Sequence, residues 1–155
     1  MVDISKMPGH LIRRLNQISV SVFADHMARA GYDFTSVQFA AMSTISTNPG
    51  LDQATLAGLI AYDRATMGGV IDRLEAKKLL TRQVSKSDRR ARQLFLTDKG
   101  HETLSILAPI VADLQDEILQ GLNKAEKKQL LTLLEKVTVA GNQLSRAPLQ
   151  ERKAS

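Results

Sequence analysis

Apolar residues recur at helical spacing over most of this chain, and only two short segments read as strands. Leu11, Leu15, Ile18, Val22 and Met27, with Ile12 and Phe23 beside them, predict a long first helix over 7–30, opening at Pro8 and closing at Gly31. Thr35-Ser36-Val37-Gln38 has the form of a capping box, in which hydroxyl and amide each satisfy an orphan backbone N–H. It predicts a second helix through Phe39, Met42 and Ile45, stopped by Asn48-Pro49-Gly50. Asp52 then caps a short helix carrying Leu56, Leu59 and Ile60. After a two-residue turn at Ala61-Tyr62, Asp63 caps a further helix whose inner face is Met67, Val70, Ile71 and Leu74. Two helices so joined form a helix-turn-helix. Leu79 to Val84 and Arg92 to Leu96 are the two strands, separated by a hydrophilic tip at 85–91. Thr97 opens a long helix through Leu104, Leu107, Val111, Leu114 and Ile118, with a kink or break expected at Pro109. Asn123 and Glu126 form a second capping box before a last helix through Leu130, Leu133, Leu134, Val137, Ala140 and Leu144.

Charge singles out one part of this pattern. The stretch from Asp63 to Gly100 holds ten Lys/Arg against five Asp/Glu, which is the whole formal excess of +5 in the 155 residues. A basic excess gathered in one quarter of a chain is expected of a polyanion-binding surface, because each phosphate neutralised releases a counterion. A solvated charged face would account for the charges alone. It would not account for a helix-turn-helix followed by a basic hairpin, which is a winged helix in outline. The outer face of the helix after Asp63 carries Ala65, Gly68, Gly69 and Asp72, flanked by Arg64, Thr66 and Arg73. Small residues with cationic flanks let a helix lie close to a sugar-phosphate backbone.

Three motifs carry a family resemblance over about 8–144: D-R-A-T at Asp63 to Thr66, D-R-L-E at Asp72 to Glu75, and Asp88-x-Arg90 followed by Leu96-Thr97-x-x-Gly100. The chain resembles the MarR family of winged-helix regulators. The resemblance implies a mainly α fold with a small β-hairpin wing and dimerisation helices at both chain ends. It implies that the helix matching 63–77 enters the major groove. The arginine matching Arg90 would reach the minor groove, steadied by the acid matching Asp88. Arg64, Thr66 and Arg73 would then act at the major groove, and Lys86, Asp88, Arg89 and Arg90 at the wing. Two positions depart from the family pattern. Gly68-Gly69 stands where longer polar residues are common, which weakens base reading from mid-helix. Lys78 stands where a helix-ending Gly is usual, so the C-cap is expected to lack its left-handed residue.

Composition narrows the chemistry further. There is no cysteine, which excludes disulfides, thiolate nucleophiles and thiol-based oxidant sensing. The opening MVDISKMPGHLIRR has no apolar run before its charges, so no signal peptide or membrane span is expected and the cytoplasm is the expected location. His10, His26 and His101 are far apart in sequence and lack metal-ligand spacing, so no metal is expected. No nucleophile elbow or phosphate loop is present, and the chain is read as a non-enzyme without a cofactor.

The helices at the two ends hold more apolar residues than a winged helix can cover. Residues 1–32 and 98–146 are therefore expected to form a homodimer around the reading unit of 33–97, on a palindromic operator, with 147–155 a disordered tail. Many members of the resembled family respond to small aromatic acids or phenols. His10, Arg14 and Gln17 on the first helix, with Phe39 and Met42 on the second, are the candidate site for such an effector, the guanidinium taking a carboxylate. Surface contacts for His10 and Arg14, and core packing for Phe39 and Met42, are the competing readings. The expected function is a dimeric, ligand-released repressor of transcription on double-stranded DNA. The alternatives are a ligand-independent architectural DNA protein and a module that docks its basic face on an acidic protein.

Overall fold

The structure, a computed structural model, describes residues 1–151. Six helices and one hairpin follow in order: α1 (Pro8–Arg29), α2 (Ser36–Thr47), α3 (Gln53–Leu59), α4 (Arg64–Ala76), β1 (Leu80–Val84), β2 (Arg92–Leu96), α5 (Asp98–Ile118) and α6 (Lys124–Ala140), with 3-10 turns at Ile4–Lys6 and Asn142–Leu144. Every N-terminal cap expected from sequence forms. Asp52 accepts from Thr55 N–H, Asp63 from Ala65, Thr97 from Gly100, and both capping boxes are complete. These are contacts between near neighbours in sequence, which is why the residue types alone announce them.

The core lies between α1, α2, α4, the hairpin and α5. Met27, Met42, Ile45, Leu56, Met67, Ile71, Leu74, Leu80, Leu94 and Leu107 are fully buried within it.

 Six of the ten come from the helices around the turn and the hairpin, so the fold's best-packed part is also the part that carries the basic stretch.

Three helices end in the same way, with the residue after the cap in the left-handed region and its own amide and the next one bonded back into the last turn. At α1 the residue is Gly31 (φ +79°), with Tyr32 N–H on Met27 O at 2.9 Å. At α3 it is Ala61 (φ +52°), with Tyr62 N–H on Ala57 O at 2.9 Å. At α4 it is Lys78 (φ +61°), with its own N–H on Glu75 O at 2.9 Å and Leu79 N–H on Leu74 O at 3.0 Å. Each is a Schellman closure. The expectation that α4 would lack its left-handed cap residue is therefore corrected. Lys78 adopts that conformation because Leu79 and Leu80, both buried, draw the chain back across the helix end.

Two further expectations change. Pro109 does not break α5, which runs from Asp98 to Ile118. Leu107 and Leu114 are buried on either side of it and hold both halves against the core. The sequence pattern also did not announce that residues 50–52 bond alongside β2 through an isolated bridge. Gly50 N–H donates to Leu94 O at 2.8 Å, Leu94 N–H to Leu51 O at 2.9 Å, and Asp52 bridges Gln93.

No residue of α6 is buried among the described residues, and Leu131, Val137 and Val139 stand 59%, 64% and 71% exposed. Leu11, Ile12 and Ile18 of α1 are exposed as well. Beyond α6, residues 146–150 lie against α3, with Gln150 N–H on Gly58 O at 2.8 Å. This is where the structure places the described part of the expected tail. Residues 152–155 of that expectation lie outside the described residues.

Candidate nucleic-acid interface

The apolar face of α4 fixes what its other side presents. Met67, Val70, Ile71 and Leu74 are all buried, so at about 100° per residue Ala65, Gly69 and Asp72 point outward. Thr66 and Arg73 stand exposed on one flank, and Asp72 and Glu75 lie toward the other. Arg64, the first residue of the helix, is exposed and has no carboxylate within 4 Å among the described residues.

An aspartate on a face that meets phosphates is unfavourable unless it is neutralised. Arg82 of β1 does this. Its guanidinium binds the Asp72 carboxylate, and its Nε lies 3.7 Å from Glu75. The same contact ties the wing's first strand to α4, so one ion pair removes a negative charge and sets the wing against the helix. Sequence reasoning counted Arg82 among the basic residues but gave it no role. The signal was the acidic pair in D-R-L-E followed by an arginine in the next element, and only the tertiary fold shows that they meet.

The wing is a five-residue antiparallel pair in the register Leu80↔Leu96 to Val84↔Arg92. Its tip is held by short polar contacts. Ser85 is buried, its N–H donates to Ala91 O at 3.1 Å, and its hydroxyl accepts from Ser87 N–H at 3.3 Å. Asp88 Oδ1 accepts the backbone N–H of Arg90 at 2.9 Å. Asp88 thus steadies Arg90 through the main chain and leaves the guanidinium free. Lys86, Arg89 and Arg90 are exposed, and among the described residues none of them has a carboxylate within 4 Å.

The Leu96-Thr97-x-x-Gly100 motif joins wing to α5. Thr97 N–H donates to Leu79 O at 3.0 Å, its hydroxyl donates to Lys78 O at 2.7 Å, and that same hydroxyl accepts from Gly100 N–H at 3.0 Å. A Cβ on Gly100 would stand 2.1 Å from Leu79 O, so only glycine admits this approach.

The candidate effector residues are placed differently. Arg14 and Gln17 line one open groove along α1 with Ile18, Ser21 and Val22. His10 Nδ1 instead lies 3.4 Å from Arg13, whose other nitrogen donates to Gln17 at 3.1 Å. Phe39 packs on Phe23 at 6.5 Å between ring centroids, and Met42 is buried in the core. In the single chain the groove and these two residues are not brought together. A partly buried contact that sequence did not suggest joins α1 to α5, with His26 Nε2 2.6 Å from Glu117.

Comparison with known proteins agrees with this geometry. The family model described as the MarR family matches residues 34–91. The HTH-type transcriptional repressor NicR of Pseudomonas putida is 28% identical over 135 residues, spanning 87% of this chain and 84% of that protein. The structure of BpsR from Bordetella bronchiseptica, whose DNA binding is regulated by 6-hydroxynicotinic acid, superposes with a TM-score of 0.82 at 29% identity, covering 89% of this chain and 97% of that one. The PcaV transcriptional regulator from Streptomyces coelicolor, in complex with its natural ligand, gives a TM-score of 0.82 at 30% identity, covering 91% and 98%.

Proposed function

This chain belongs to the MarR family of transcription regulators, and from that premise we propose that it is a homodimeric repressor that releases duplex DNA on binding a small aromatic acid or phenol. The observation that carries the DNA part is the set of exposed cations with no carboxylate within 4 Å among the described residues, Arg64 on α4 with Lys86, Arg89 and Arg90 on the wing, presented by elements whose inner faces are packed. Arg64, Thr66 and Arg73 act at the major groove and the wing cations at the adjoining backbone and minor groove. Phosphate contacts set position, and only some contacts read bases. The exposed apolar residues of α1 and α6 support a two-fold dimer of residues 1–32 and 98–146, which copies its symmetry into a palindromic operator with half-sites about one helical turn apart. Its place of action is where the DNA is, the cytoplasm.

The effector reading rests on Arg14 with Gln17 at the α1 groove, His10 one turn away, and Phe39 and Met42 on the far side of α1. It is supported by the aromatic effector of BpsR. The ligand works by favouring a spacing of the two heads that does not fit the operator. A differential affinity of about 1.4 kcal/mol already changes DNA binding tenfold. A second reading, an architectural DNA protein indifferent to small molecules, is favoured by Gly68 and Gly69, which put no side chain at the middle of α4.

Fluorescence anisotropy on duplex DNA from the gene's own upstream region separates the two. The repressor reading expects preference over a scrambled duplex and reversal by a related group of aromatic carboxylates or phenols. Equal binding to both duplexes, unchanged by every compound, refutes it in favour of the architectural reading.

A further inference from the structure

After α6 the chain turns back toward the reading head. Asn142 closes the return, its side-chain amide donating to Leu149 O at 3.0 Å and its carbonyl accepting Leu149 N–H at 2.8 Å. Gln150 N–H then bonds Gly58 O at 2.8 Å on α3. The Gln150 side chain fills the space a Cβ on Gly58 would take, with its nearest atom 2.6 Å from that position. The arm so docked shares a cleft with Tyr62, Asp63 and Arg64 at the turn into α4, and Arg146 lines that cleft.

What holds the arm is the Asn142 side chain on the Leu149 main chain, the Gln150 N–H on Gly58 O, and the Gln150 fit. Charge does not hold it. Asp63 is committed to capping α4 through Ala65 N–H at 2.8 Å. Arg64 and Arg146 line one cleft, and among the described residues neither is paired with a carboxylate within 4 Å. That cleft lies where the first helix of a helix-turn-helix crosses the DNA backbone and the second enters the groove by its N-terminus.

We infer that the C-terminal arm is a further part of the DNA interface, with Arg146 binding a backbone phosphate of the duplex beside the contact made by Arg64. The inference rests on the reading of the head as DNA-binding, and it assigns the arm to position and affinity, since a phosphate contact carries no base information.

The test uses the full chain and the upstream duplex, with anisotropy titrations in a salt series for the wild type, Arg146→Ala, Arg146→Lys, Asn142→Ala and Arg90→Ala. One phosphate contact contributes about 0.9 to the slope of log affinity against log salt. Between 50 and 200 mM salt that is about 3.5-fold in affinity per half-site and about 12-fold for a dimer. Arg146→Ala should therefore lose salt sensitivity by about that factor with an unchanged melting temperature, and Arg146→Lys should retain it. Asn142→Ala, which frees the arm, should lose part of it, and an unchanged slope there overturns the docked arrangement. A wild-type slope in Arg146→Ala beside a reduced slope in Arg90→Ala overturns the proposal while leaving the DNA-binding reading intact. Failure of the wild type to bind any duplex overturns both.

Discussion

Replacing Gly100 by alanine tests the joint between wing and α5 with a single methyl group. The added Cβ would stand 2.1 Å from Leu79 O, 3.1 Å from Leu79 C and 3.3 Å from Leu96 Cβ. An ordinary carbon–oxygen contact is about 3.3 Å, so the start of α5 must retreat from the turn by about 1.2 Å. Neither party can yield alone, because both are main chain. The retreat breaks or stretches Thr97 N–H to Leu79 O (3.0 Å) and the Thr97 hydroxyl to Lys78 O (2.7 Å). Each bond contributes about 1 kcal/mol, and loosened packing of the buried Leu79 and Leu80 adds to it, for a total of about 2–4 kcal/mol. Urea unfolding followed by circular dichroism, at fixed protein concentration because a dimer's stability depends on it, measures the difference. Gly69→Ala is the control. Its Cβ meets nothing within 4 Å, and the helix should gain about 0.5–1 kcal/mol. A Gly100→Ala protein within 0.5 kcal/mol of wild type would refute the argument from close approach.

Three other expectations follow from particular residues. Lys78→Gly should stabilise the protein by up to about 1 kcal/mol, since a left-handed non-glycine residue costs about 1–2 kcal/mol and glycine's looser unfolded chain returns part of the gain; thermal melts would show it as a rise in midpoint. Arg82→Ala should lower stability by about 1 kcal/mol, discounted because Asp72 is well exposed, and should weaken DNA binding about tenfold by uncovering the Asp72 charge; equal DNA affinity in the variant would count against the neutralising role. Arg14→Ala should abolish release by aromatic acids and leave ligand-free DNA affinity unchanged, both read by anisotropy, whereas equal loss of the two would remove Arg14 from the effector site.

What could be read from sequence were the contacts made between neighbours along the chain. Thr35 with Gln38, Asp63 with Ala65, Thr97 with Gly100 and Asn123 with Glu126 are each closed within three residues, so residue type and spacing suffice. The inner face of α4 was equally legible, because periodicity is a local property. The features that escaped are those decided by distant partners. Lys78 takes a left-handed conformation because buried Leu79 and Leu80 lie beyond it, Pro109 is tolerated because Leu107 and Leu114 are both anchored, and the isolated bridge at Asp52 forms only because Gln93 and Leu94 lie alongside. At the site, sequence identified the cations and not their pairing. Arg82 is paired with Asp72 while, among the described residues, Arg64, Lys86, Arg89 and Arg90 have no carboxylate within 4 Å, and one-dimensional charge counting treats all five alike.

The wing tip keeps its shape through Ser85, the Asp88 carboxylate and main-chain bonds, with no contribution from the charged ends of Arg89 and Arg90. Shape and chemistry at the tip are consequently separable. Substitutions at these two arginines that leave the backbone alone should change folding by less than about 0.5 kcal/mol, the usual range for exposed positions. Their side chains can therefore change with little constraint from folding. The loop is a fixed mount on which the exposed side chains can be exchanged without passing through an unstable protein.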